Sequence, residues 1–100
     1  MSREADRRIA REFRRRLSGI APILDLRVFG SRVRGDAAPD SDLDVFIELE
    51  EATPELRQRI SEIAWEVSLE TGIVISTLIY SKQMAGQPII TAIETDGVVI

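Results

Sequence analysis

Two strand-like runs flank a short polar spacer, and each meets it with its own chemical signature. The first, Leu24-Asp25-Leu26-Arg27-Val28-Phe29, stops at Gly30-Ser31. The second, Asp42-Leu43-Asp44-Val45-Phe46-Ile47-Glu48-Leu49, opens on two carboxylates, with ten residues between Ser31 and Asp42. It alternates polar and apolar residues, the period of a half-buried strand. The spacer holds Gly35, Asp36, Pro39 and Asp40 and has the composition of a loop.

Each half suggests a ligand. Residues two apart on a strand project to one face, so Asp42 and Asp44 form a close pair. A bound cation relieves their repulsion, and magnesium favours one or two carboxylates with phosphates and water completing its octahedron. An isolated Asp-x-Asp is more often the charged, solvated face of an edge strand. At the other end, Gly30 lets backbone N–H groups approach a ligand, and the Ser31 hydroxyl can cap a helix or bond a phosphate oxygen. A helix starting near Ser31 would turn its positive end toward an anion, with Arg32 and Arg34 beside it. An ordinary strand-to-helix turn with a Ser cap suits the same residues.

The conjunction is more specific than either half. Gly-Ser-x(10)-Asp-x-Asp, with Arg32 and Arg34 inside the spacing, resembles the minimal nucleotidyltransferases of the DNA polymerase β-like superfamily, the antitoxin type paired with HEPN toxins. The match is specific over residues 29–47 and looser elsewhere, though length and element order agree. The resemblance implies that Gly30, Ser31, Arg34 and, less directly, Arg32 bind the nucleotide. It implies that Asp42 and Asp44 are the catalytic carboxylates and hold Mg²⁺. It further implies ATP or another nucleoside triphosphate as donor, AMP as the group moved, and a tyrosine hydroxyl of a HEPN-domain partner as acceptor. No residue here specifies that acceptor.

One departure from the family pattern stands out. A third carboxylate is usual on the next central strand, where it helps activate the attacking hydroxyl. Here Gly72-Ile73-Val74-Ile75-Ser76-Thr77-Leu78-Ile79-Tyr80 contains no acid, and Ser76 or Thr77 takes the expected place. The nearest acid, Glu70, falls on the preceding helix. Two expectations follow: a working adenylyltransferase that acts as an antitoxin, or a weak or inactive module that binds nucleotide or toxin without turnover. A template-independent polymerase fits less well, because the chain is acidic overall and lacks an aromatic stacking platform; a nucleic-acid partner is therefore not expected.

Composition sets the remaining bounds. One hundred residues point to a single domain, 1–100, able to bury roughly 65% of its unfolded surface. Cysteine and histidine are both absent, which removes disulfides, thiolate metal sites and imidazole catalysis. No apolar stretch reaches membrane-spanning length and the N-terminus is charged, so a cytoplasmic protein without membrane attachment is expected. The net charge of −4 divides unevenly: residues 1–34 carry ten arginines against four acids, residues 35–100 three basic residues against thirteen acids. Seven of those arginines surround an apolar stripe of Ile9, Phe13 and Leu17 on the first helix. They suit a solvated face with pairs such as Glu4–Arg8, or an acidic partner; self-association is left open.

The element order reads αβ(α)βαβα, an α+β chain with helices packed largely on one side of a short mixed sheet. Helices are expected over residues 2–17, from a Thr53 cap and Pro54 to Gly72, and near 88–95, with a short one over 31–34. Strands are expected over 24–29, 42–49 and 73–80, with a terminal addition at 98–100. Leu56, Ile60, Ile63, Ala64 and Val67 form the long helix's buried stripe, and Trp65 is expected at its margin as core or near-core packing. Tyr80 reads as strand-end packing.

Overall fold

Helix α1 (Arg3–Leu17) forms where apolar residues recur at helical spacing. Ala10, Phe13 and Leu17 are fully buried, and Ile9 packs beside them. Asp6 lies on the same stripe and is also buried, a polar position that the apolar spacing does not signal. The structure, a computed structural model, describes residues 3–30, 41–81 and 97–100. The short helix expected over 31–34 and the one near 88–95 lie outside the described residues.

Helix α2 (Pro54–Thr71) begins and ends at the predicted signals. The Thr53 hydroxyl accepts the Leu56 N–H at 3.1 Å, and Pro54 occupies the first turn, where no amide proton is needed. Gly72 closes the helix in the left-handed region at φ 77, its N–H donating to the Ser68 carbonyl. Ile60, Ile63, Ala64 and Val67 are buried, and Leu56 packs against them. Trp65 departs from expectation: it is 62% exposed. One residue advances a helix by about 100°, which carries Trp65 off the stripe that holds Ala64.

Strands β1 (Asp25–Phe29), β2 (Leu43–Glu48), β3 (Ile75–Tyr80) and β4 (Val98–Val99) lie in the order β3-β2-β1-β4. β1 pairs antiparallel with β2 and β4, whereas β2 and β3 run parallel, so α2 is their crossover. Alternation divides the sheet into two faces. Leu26, Val28, Leu43, Val45, Ile47, Ile75 and Ile79 join α1 and α2 in the main core. Phe46 and Tyr80 point the other way, their ring centroids 5.7 Å apart, with Phe29 and Leu78 against them. Tyr80 is therefore the packing residue that the sequence suggests. The result is a small mixed α/β domain, with both described helices on one side and the opposite face carrying Asp44. Among the described residues no helix is long and apolar enough to cross a membrane.

Arg16 ties the two helices together. Its guanidinium donates to both Glu70 carboxylate oxygens, at 2.6 and 3.0 Å, and to Glu12 at 2.7 Å. Glu70 thus belongs to a helix-to-helix clamp. Glu4 meets Arg11 at 3.8 Å, one turn beyond the Arg8 that spacing suggests.

Candidate active site

The site is a corner where the end of β1 meets the start of β2. Phe29 is the register partner of Asp44, so the turn leaving β1 falls beside the carboxylate. At Gly30 the backbone adopts φ 84, the left-handed region that glycine enters without a Cβ penalty. A second constraint acts at the same residue. A Cβ built on Gly30 would overlap the Asp44 carboxylate, reaching Oδ2 and lying 3.2 Å from Cγ. Residue 30 is glycine both because the turn demands it and because Asp44 fills the space a side chain would need.

Asp44 is half-buried, and Asp42 is exposed one residue before β2 begins. The backbone remains in the ladder there, since the Leu43 N–H donates to the Val74 carbonyl at 2.8 Å. Alternation therefore puts Asp42 and Asp44 on one side of the sheet, as the Asp-x-Asp spacing predicts. Ser31, Arg32 and Arg34 lie outside the described residues. Of the predicted nucleotide ligands, Gly30 alone lies among the described residues, and it sits against the carboxylate half of the motif.

Across β2 the parallel register sets Ser76 directly beside Asp44 and Thr77 beside Val45. Ser76 therefore shares Asp44's face, whereas Thr77 alternates to the helix side. Of the two, Ser76 is the one beside Asp44 on the same face. Further along the same face, Glu48 lies four residues from Asp44, about 13 Å at strand rise, too far to share a cation directly. Asp25, at the end of β1 away from the corner, accepts from Arg27 Nε at 2.7 Å.

The donor set suits magnesium. Two carboxylates are hard oxygen ligands, and the missing Cβ at residue 30 leaves Asp44 room at the corner. Among the described residues no group of three His, Cys, Asp or Glu converges as a metal cluster; magnesium held by one or two carboxylates ordinarily completes its shell with phosphate and water. The contact between Gly30 and Asp44, and the Ser76 register, are the features that sequence reading missed. Motif spacing shows that the residues are present, but cross-strand pairing decides which of them touch.

The chain belongs to the nucleotidyltransferase domain family, whose model matches residues 7–98. A protein of Methanocaldococcus jannaschii, provisionally named as a protein adenylyltransferase, is 42% identical over 77 residues, covering 74% of this chain and 78% of that protein. The fold also matches solved structures. One, a toxin–antitoxin crystallised with AMP-PNP, aligns with a TM-score of 0.66 at 16% identity, over 88% of this chain and 69% of that one. Another, from Sulfolobus solfataricus and provisionally named as a nucleotidyltransferase, aligns at 0.56 and 21% identity, over 96% and 82%. The nucleotidyltransferase membership and the fold expected from Gly-Ser-x(10)-Asp-x-Asp are thereby established.

Proposed function

We propose that this chain is a magnesium-dependent adenylyltransferase that moves AMP from ATP to a hydroxyl of a protein partner, the toxin of a HEPN toxin–antitoxin pair. The observation that carries this reading is the Gly30–Asp44 corner, which sets a phosphate-type turn against a strand carboxylate. The name of the M. jannaschii relative supports AMP transfer to protein, and the toxin–antitoxin fold neighbour with AMP-PNP supports the nucleotide and the partner class.

In this reading Gly30 and Ser31 hold the triphosphate through backbone N–H groups and a hydroxyl, with Arg34 and Arg32 adding charge. Asp42 and Asp44 would hold Mg²⁺, whose charge would offset that of the triphosphate and of the departing pyrophosphate. The acceptor oxygen attacks the α-phosphorus in line; a new P–O bond forms as the bond to the β-phosphate oxygen breaks. The acceptor's proton must leave as well. Ser76 is not a base near neutral pH, and Glu70 is clamped to Arg16 on the helix side. In this reading the base that takes the proton comes from the partner or the substrate.

The place of Ser76 also favours a second reading, a module that binds nucleotide or toxin without turnover. One experiment separates the two. The chain, its partner, Mg²⁺ and α-³²P-ATP are combined, with Asp42→Asn/Asp44→Asn as control. Label on the partner that vanishes in the double variant supports the transferase. Tight binding of Mg–ATP with no label transfer establishes the binding module instead.

A further inference from the structure

The outer surface of the helix layer takes no part in the corner site, yet it is organised. On α2, Trp65 and Leu69 stand one turn apart and are 62% and 66% exposed. Lone exposed apolar residues are ordinary, but a tryptophan and a leucine at i,i+4 make one continuous stripe. Around it α2 exposes Glu55, Glu62, Glu66 and Glu70 against Arg57 and Arg59. The neighbouring helix is the mirror of this in charge: α1 exposes Arg8, Arg11 and Arg15 against Glu4. The Arg16–Glu70 clamp fixes the two helices together in one layer.

We propose that this layer is a self-association surface. The α1 arginines of one copy meet the Trp65–Leu69 stripe and its glutamates on a second, and a two-fold axis repeats the contact. The argument is complementarity. Each stripe's opposite is carried by the same molecule beside it, so one axis satisfies both stripes at once, as an isologous interface requires. The contents suit an interface: a tryptophan at the centre, a charged rim, and arginines able to stack on the indole. Pairs within each helix, Arg11–Glu4 at 3.8 Å and Arg59–Glu62 at 3.4 Å, are exposed and loose enough to exchange for contacts across copies.

The test uses the full chain. Trp65 is the sole tryptophan, so its emission reports directly on this surface. Sedimentation equilibrium should show a dimer that weakens as salt rises, and the emission should shift to the blue with protein concentration. Arg8→Glu/Arg11→Glu and Glu62→Arg/Glu66→Arg, each confirmed folded by circular dichroism, should both be monomeric. Mixed together, the acidic-faced and basic-faced variants should form a one-to-one heterodimer with the blue-shifted emission restored. A wild type that stays monomeric at about 1 mM, where even a weak dimer is populated, overturns the proposal. So does a dimer indifferent to both reversals, or a mixture that does not pair.

Discussion

At the scale of single residues, Gly30 is where backbone geometry and chemistry meet. Gly30→Ala should cost about 1 kcal/mol of stability from the left-handed backbone alone, read as a lower melting temperature. It should cost far more in function, because a methyl group there displaces the Asp44 carboxylate. In the proposed reading Asp44 is a catalytic group; misplacing such a group by an ångström is worth about 10² in rate, and the label-transfer assay should show a loss of that order. Gly72→Ala is the control: it shares the positive φ but has nothing within 4 Å of a new Cβ, so stability should fall and transfer persist. Both members of the corner were legible from the Gly-Ser and Asp-x-Asp motifs. Their contact was not, since it depends on Phe29 pairing with Asp44 across a spacer whose path spacing alone does not define.

At the scale of elements, α2 was the most legible piece because its ends are written in residue chemistry. Thr53 and Pro54 start it, and Gly72 stops it. Thr53→Ala should remove about 1 kcal/mol, which for a domain of this size lowers the melting temperature by roughly 4–8 °C. The faces of the helix are less legible at the margin of the buried stripe. Adjacency to Ala64 points Trp65 to core or near-core packing, but its angular position turns it to solvent. Trp65→Ala should therefore leave the melting temperature nearly unchanged at concentrations where the protein is monomeric. Phe13→Ala, at a fully buried position, should cost about 3–5 kcal/mol. In β3 the absence of an acid was plain from sequence, but only the parallel register assigns Ser76 rather than Thr77 to the place beside Asp44.

At the scale of the whole molecule, the joint between helices is acid-sensitive. Hydrogen bonds from Arg15 and Arg16 hold the Glu12 carboxyl down from 4.5 to about 2, and Arg16 also lowers Glu70. Carboxylates lowered by folding stabilise the native state above their ordinary pKa and lose that contribution as pH falls through the folded value. The clamp should thus act fully at neutral pH and fade between about pH 4.5 and 2. Because these groups are exposed, the effect is small and salt-dependent. Arg16→Ala should lower the melting temperature at pH 7 while converging on wild type near pH 2, as thermal melts across that range would show. The sheet, by contrast, has a kinetic weak point. Val28 and Val98 pair across about seventy positions of sequence, through a ladder of only two residues. Closing so long a loop costs chain entropy that two pairings barely offset, whereas β2, α2 and β3 follow one another directly along the chain. The crossover unit should nucleate folding, with β4 docking last and opening first. In native-state hydrogen exchange, the Ile100 amide bonded to Leu26 should then exchange well before the Leu49 amide bonded to Tyr80.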